Sequence, residues 1–426
     1  MEVCATMASS KTIAIIVVAL VVGAAVGASA VTLMGSLSTS SSSVKTYTIG
    51  AILPLSGSFA AFGKSMTNAV NLAVQQMNAN LTASNIPIQF KVITEDDSGT
   101  AAGALSAMQT LYQSDGVQVV VGPLTTPEVQ GILQYSTQNH IVSLPPAVGS
   151  IGTSYPDNVF ETGEPNSFAL FNAMGQSVIQ LGIKNVVFLY RQDTAETAVY
   201  NYTSAILRNA GVNVKSVSFA PGQSDYSAEV TATSADVQGI VSSGGAYSTT
   251  AVFLAGLGTE ASNIMTHASV DQYLPRVRWF GVAADADQTL LNDSIVGPFM
   301  ARVNFTIPLT YTQGSPQGQN YANDYKSVFG TTPEPYANYA YDNAWIGMES
   351  IIWAGGNNGK TIASILPTVA DHYFQVTGTG TYVDVNGNQV IAFYNIGLCV
   401  KSGTSYEFVP VGLYNYGTNT LTMNGP

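Results

Sequence analysis

The chain has 426 residues, 46% of them hydrophobic, enough for more than one ordinary core. Its formal net charge of −12 excludes the basic footprint that nucleic-acid binding requires. Only 9% of residues are charged, against about 25% in average soluble domains, and uncharged Asn, Gln, Ser, Thr and Tyr take their place, which suits an acidic or variable exterior.

Taken in order, the chain first presents residues 13–34 without a charge, about 22 residues, long enough to cross a hydrocarbon core of roughly 30 Å. Two readings of residues 1–35 stand. One is a signal peptide cleaved near Ala30, in the small-residue stretch Ala28-Ser29-Ala30; the other is a retained membrane anchor. The run exceeds the about 7–15 residues of a signal core, which favours the anchor, and Lys11 places the short N-terminal side in the cytoplasm. No cysteine stands just after the run to carry a lipid. Residues 36–45 form a Ser/Thr-rich stalk. Cys4 and Cys399 are expected on opposite sides of a membrane and unpaired. With three His and no CxxC, neither a structural metal nor a cofactor is expected.

Thr48-Ile49-Gly50-Ala51-Ile52-Leu53 reads as a buried strand, broken by Pro54-Leu55-Ser56-Gly57-Ser58. A helix follows, with Met66, Val70, Leu72, Ala73, Val74 and Met77 on its apolar face. The turn between them is expected to aim free N–H groups at an anion outside the strand end. Residues 88–93 form the next strand. Glu95-Asp96-Asp97-Ser98-Gly99-Thr100 then caps a helix at 101–111, an Asp or Ser cap being the commoner use of such a run than a cation site. The β-branched run 117–121 ends in Gly122-Pro123-Leu124-Thr125-Thr126-Pro127 and opens a helix. Strand 141–144 ends in Pro145-Pro146-Ala147-Val148-Gly149-Ser150. In an open parallel sheet these strand ends share the edge where ligands bind. Residues 160–165 read as a crossing into a second lobe. There a helix at 167–181, strands at 185–190, 212–219 and 251–255, and a helix at 198–210 lead to two further strand ends, Gly256-Leu257-Gly258 and Val282-Ala283-Ala284-Asp285. Residues 295–308 should cross back, and Asn386-Gly387 marks a hairpin turn.

Ile49-Gly50-Ala51-Ile52-Leu53-Pro54-Leu55-Ser56-Gly57, then Phe62-Gly63, Ala69-Val70-Asn71-Leu72-Ala73 and Asn78, resemble the opening of the branched-chain amino-acid binding proteins. These are extracytoplasmic solute receptors of ABC importers with the type I periplasmic-binding-protein fold. The spacing from Thr126 to Ala147, Ser224-Asp225-Tyr226-Ser227 and Tyr341-Asp342-Asn343-Ala344-Trp345 extend the resemblance over about residues 47–416. It implies an α/β protein of two doubly wound, Rossmann-like lobes joined by three hinge crossings. Lobe 1 would comprise 46–164 and 298–385, lobe 2 165–297, and a C-terminal hairpin, 386–426, would return to lobe 2.

The resemblance implies a ligand site between the lobes. Ser56, Phe62, Thr125, Thr126, Pro146, Ala147 and Gly149 would come from lobe 1, and Thr194, Leu257, Gly258 and Asp285 from lobe 2. The aromatic matching Phe62 lines the family's side-chain pocket. The hydroxyl matching Thr126, with nearby N–H groups, takes the ligand carboxylate, each such bond contributing roughly 1.5–3 kcal/mol; Thr125 and Thr126 also suit the plain role of capping their helix. The sequence departs from the family where the ligand ammonium is held. The hydroxyl expected near Gly149 is missing, with Ser150 adjacent; so is the aromatic expected near Gly258. Thr194 stands where the family often has Tyr, and the acid expected near Ala283 is displaced, with Asp285 nearest. A buried ammonium without a partner is very costly, so either Asp285 swings in or the solute lacks an α-amine.

No G-x-S-x-G, Walker A or H-E-x-x-H motif occurs, and no enzyme activity is expected. The reading is a monomeric solute-binding protein on the extracellular face of the cytoplasmic membrane, held by its N-terminal helix or secreted if that is cleaved. It would capture an amino acid, carboxylate, amide or short peptide for ABC permease subunits. A ligand-sensing ectodomain and a non-transport surface protein are the alternatives. Four sequons, at Asn80, Asn201, Asn292 and Asn304, are glycosylation candidates.

Overall fold

The computed structural model describes residues 43–148, 158–163, 167–310, 316–376 and 393–424. The anchor or signal at 1–35, most of the stalk, Gly149, Ser150, Glu164-Pro165 and the Asn386-Gly387 turn lie outside them. Among the described residues no helix is long and apolar enough to cross a membrane.

The first lobe begins with β1 (Lys45–Leu53), α1 (Ala60–Ala83), β2 (Ile88–Asp96), α2 (Ala101–Asp115), β3 (Val119–Val121), α3 (Thr126–Asn139) and β4 (Val142–Leu144). Its four strands are parallel, in the order β2-β1-β3-β4. Strand periodicity sends Ile49, Ala51 and Leu53 to one core with Phe62, Met66 and Val70, and Ile52 to the opposite one with Ala104, Met108 and Ile132. Helices therefore cover both faces, as an all-parallel sheet requires. A Cβ on Gly63 would stand 1.9 Å from the Pro54 carbonyl oxygen, so only glycine lets α1 sit this close to the end of β1.

The turn after β1 does not offer its amides to a ligand, as the sequence suggested. Leu55 N and Ser56 N donate to Asp96 Oδ1 at 2.9 and 3.3 Å, and the Ser56 hydroxyl donates to that of Ser98 at 3.0 Å. The anion outside this strand end is the protein's own carboxylate. Desolvation opposes its charge, but the Ser56 hydroxyl and the Ser98, Leu55 and Ser56 amides hold Asp96 below its ordinary pKa. The acidic run is thus turn chemistry, and the cap of α2 is Thr100, whose Oγ1 accepts from Gly103 N at 3.0 Å. Among the described residues no group of three or more His, Cys, Asp or Glu is placed to hold a metal ion.

The second lobe contains α4 (Ser167–Gln180), β5 (Asn185–Arg191), α5 (Thr194–Asn209), β6 (Asn213–Phe219), α6 (Ser227–Ser242), β7 (Thr250–Ala255), α7 (Gly258–Ser269), β8 (Arg278–Phe280), α8 (Gln288–Asn292), α9 (Val296–Arg302) and β9 (Thr306–Thr310). Next, α10 (Pro316–Phe329), α11 (Ala337–Trp353) and α12 (Gly359–His372) pack in the first lobe, α11 lying on α1 and β3. The chain then returns as β10 (Phe393–Ser402), β11 (Ser405–Asn415) and β12 (Thr420–Met423). The second sheet runs β12-β11-β10-β9-β8-β7-β5-β6, parallel from β6 to β9 and antiparallel from β9 to β12.

The return to lobe 1, expected within 295–308 with a boundary at 298, comes later. Phe299, Met300, Val303, Phe305 and Ile307 are all buried around Trp279 in the second lobe, and β9 pairs with β8 and β10. That apolar spacing belongs to lobe 2's core, so the chain cannot leave the lobe before Thr310.

Candidate functional site

Both sheets reverse their strand order, between β1 and β3 in the first and between β5 and β7 in the second. Ligands of open α/β sheets bind outside the carboxyl ends of the strands at such points. Here the two edges face each other across a cavity of about 100 Å³. Phe59, Phe62, Thr125, Thr126 and Ala147 line it from the first lobe, and Asp193, Glu196, Leu257 and residues 282–284 from the second. Phe171 of α4 and Tyr336 close the side, Tyr336 meeting Phe62 edge-on with ring centroids 6.2 Å apart. Tyr336 holds φ at +69°, a left-handed conformation that costs a non-glycine residue on the order of 1–2 kcal/mol.

The two walls differ in chemistry. On the first-lobe side, Thr125 is the N-cap of α3, its N–H donating to Glu128 Oε2 at 2.8 Å. Thr126 is buried, lines the cavity, and its hydroxyl has no partner among the described residues. A hydroxyl at a helix N-terminus suits a carboxylate. On the second-lobe side, Asp193 caps α5, accepting from Glu196 N at 2.8 Å. Arg191 Nε lies 3.2 Å from Asp193 Oδ2 and 3.5 Å from Glu260 Oε2, so its one charge is shared by two acids. Glu196 is left over: it is 5% exposed and its Oε2 has no hydrogen-bond partner among the described residues. Burial first, then Asp193, pushes its carboxyl well above the usual range, with Arg191 pulling the other way. A cation entering the cavity would meet a carboxyl with no protein partner.

The lobes touch. The Arg191 guanidinium lies 5.5 Å from the Phe59 ring centroid, the Thr194 hydroxyl donates to Gln130 Oε1 at 3.4 Å, and Gln288 N donates to Glu334 Oε2 at 3.0 Å. At the start of α7, Gly258 has φ +55°, and a Cβ there would stand 2.5 Å from the Ser58 carbonyl oxygen of the other lobe. Gly258→Ala is therefore expected to hinder closure and weaken ligand binding by about tenfold, chiefly through faster release, as stopped-flow kinetics would show. An unchanged dissociation rate would mean that this contact does not hold the cleft shut.

A family model described as periplasmic binding protein matches residues 46–396. The chain belongs to that family. An uncharacterised protein of Methanocaldococcus jannaschii is 22% identical over 384 residues, 85% of this chain and 88% of that protein. The Leu/Ile/Val-binding protein homolog 3 of Brucella melitensis biotype 1 is 28% identical over 191 residues, 43% of this chain and 50% of that protein. Among solved structures, the leucine-binding protein LivK of Thermotoga maritima superposes with a TM-score of 0.72 at 18% identity, covering 87% of this chain and 99% of that one. An ABC-transporter solute-binding protein of Rhodopseudomonas palustris in complex with 3,4-dihydroxybenzoic acid gives 0.70 at 18%, covering 87% and 97%. At these identities the likeness shows the type I fold, two α/β lobes around a cleft.

Within that periplasmic-binding-protein cleft, the structure gathers Phe62, Thr125, Thr126, Ala147 and Leu257 around the cavity. Ser56 is exposed and faces Ser98, and Pro146 is buried behind Ala147 without lining the cavity. Thr194 and Gly258 make contacts between the lobes, and Gly149 lies outside the described residues. Asp285 does not swing in. It is fully buried in the short turn Ala283–Asp285, where its Oδ2 accepts from Val282 N at 3.0 Å. Burial pushes its carboxyl well above the usual range, and it closes its own turn beneath the strand end. The acid at the cavity without a hydrogen-bond partner among the described residues is Glu196. The spacing Asp193-x-x-Glu196 reads as an ordinary capping pair and gives no sign of a second role.

Proposed function

We propose that this chain is an extracytoplasmic solute-binding protein that captures a small carboxylate between its lobes and hands it to the permease of an ABC importer. The observation that carries this reading is the polarity across the cavity, with the free Thr126 hydroxyl on one wall and the unpartnered Glu196 carboxyl on the other. An α-amino acid with an apolar side chain satisfies both walls, its side chain lying against Phe62, Phe171 and Leu257. A second reading, an aromatic carboxylate without an amine, draws on the same apolar wall; Glu196 would then have no cation to pair with.

Calorimetry against amino acids, carboxylates, amides and short peptides tests the proposal, with small-angle scattering to follow compaction. Saturable binding with compaction by one of these classes is expected. Failure of every class to bind or compact the protein would sink it.

We place the described residues outside the cell, with residues 1–35 as anchor or cleaved signal. All four sequon asparagines, Asn80, Asn201, Asn292 and Asn304, are exposed. Native protein is expected to exceed its polypeptide mass by whole glycan increments on intact-mass measurement. The bare polypeptide mass would rule that out.

A further inference from the structure

The first lobe holds another cavity, of about 320 Å³, between α1, α10, α11 and residues 373–376; it shares no lining residue with the cleft. Its walls are aromatic. The Tyr321 and Tyr341 ring centroids lie 4.8 Å apart, and Tyr341 and Trp345 lie 6.2 Å apart. Three polar groups in this wall, the Tyr321 hydroxyl, the Trp345 indole N–H and the Glu349 carboxyl, lack the partners among the described residues that buried polar groups normally find. Tyr321 is 5% exposed and its hydroxyl has no partner among the described residues. Glu349 is equally buried, and its carboxyl makes no hydrogen bond or ion pair with the described residues. Asp324, exposed at the edge, adds a second carboxylate, held by Gln76 Nε2 at 2.9 Å. No Lys, Arg or His lines the cavity among the described residues. Burial pushes Glu349 up to about 7, a cost that a positive neighbour would relieve.

An accidental packing gap would be lined by apolar groups, whereas a buried carboxyl and phenol without protein partners need a partner from outside the chain. Aromatic faces with carboxylates and no basic side chain are the surroundings that a positively charged nitrogen on an apolar body prefers. We propose that this cavity is a second ligand site, for a small organic ammonium ion whose nitrogen lies against the Tyr321 and Trp345 rings and pairs with Glu349. This site is independent of the solute cleft.

The test is calorimetric titration of the full chain with benzylammonium chloride, using benzyl alcohol as a neutral probe of similar size. Benzylammonium is expected to bind saturably, and benzyl alcohol at least about tenfold more weakly. Glu349→Gln is expected to weaken benzylammonium binding by about tenfold or more and the exposed Asp324→Asn by about threefold, while Glu196→Gln in the cleft leaves it unchanged. If Glu349→Gln does not fold, Asp324→Asn and the neutral probe carry the test. The proposal is overturned by absence of saturable binding, by equal affinity for the alcohol, by indifference to the Glu349 or Asp324 change, or by loss on Glu196→Gln, which would place the amine in the cleft.

Discussion

Glu196→Gln should weaken binding of an amino-acid ligand by about 2–5 kcal/mol, because it strands a desolvated ammonium in a closed cleft. The change keeps shape and removes charge, so the apolar wall is untouched. Asp285→Asn should leave affinity nearly unchanged, since Asp285 bonds to its own turn and does not line the cavity. Thr126→Ala should cost about 1–3 kcal/mol for an amino acid and for an aromatic carboxylate alike, because both share the carboxylate end. The three variants together read the solute's chemistry. Loss at Thr126 and Glu196 indicates an amino acid; loss at Thr126 alone indicates a carboxylate without an amine. Calorimetry on one identified solute measures all three. A bound amino acid that tolerates Glu196→Gln but not Asp285→Asn would reverse the assignment made for the second lobe.

The protein should be more stable in mild acid than at neutrality. Desolvation holds several buried carboxyls above their ordinary range, and four of them have folded values near neutrality: Asp97 at about 6, Glu128 at about 8, Asp342 at about 8 and Glu349 at about 7. In the unfolded chain each titrates near about 4. Between those values the folded state binds more protons than the unfolded one, so stability falls as pH rises. The contribution is fully present below about pH 4 and is lost as pH climbs through the folded values of 6 to 8. The expected result is a loss of several kcal/mol, on the order of 5–15 °C in Tm, between pH 5 and pH 8 at constant ionic strength. Glu349→Gln, which removes one ionising group, should raise Tm at pH 8 and flatten the curve. A Tm that is constant or rises toward pH 8 would contradict the assignment. Stability in acid agrees with the sparse charge of the sequence, which already suggested an acidic or variable exterior.

The strand–turn–helix units were legible because each strand is short, β-branched and followed by a turn. Residues 48–53, 117–121 and 141–144 read as strands and lie in or beside β1, β3 and β4. Phe62 and Thr126 were legible through resemblance in the opening lobe, where spacing runs without gaps. Side-chain direction was not legible. Ser56 and Asp285 both sit at strand ends, yet one turns toward Ser98 and the other under its own turn, choices set by Asp96 and by the Val282 amide. Glu196 escaped because the third residue of a helix is an ordinary place for Glu. Phe59, Phe171 and Tyr336 escaped because an apolar residue in a cavity wall looks like one in a core. The late crossing was missed for a related reason: Phe299 to Ile307 are spaced for packing, and packing alone does not say in which lobe.

The second sheet is built in two instalments far apart in the chain. The inner strands end with β9, but the strand that covers its edge, β10, begins only at Phe393. Tyr394, Ile396 and Tyr414 also cover Ala169 and Ala173 of α4, and Cys399 completes the core around Trp279. Synthesis at about 5–20 residues per second leaves the outer face of α4 uncovered for on the order of 10–45 s. From the end of its own synthesis until Phe393 follows, about 80 residues or roughly 4–17 s later, β9 presents an unpaired edge, the kind of surface that recruits other chains. The second lobe therefore matures last, in one late step that needs the C-terminal strands. A chain stopped before Phe393 would not be a shorter receptor but an open sheet with a bare helix face.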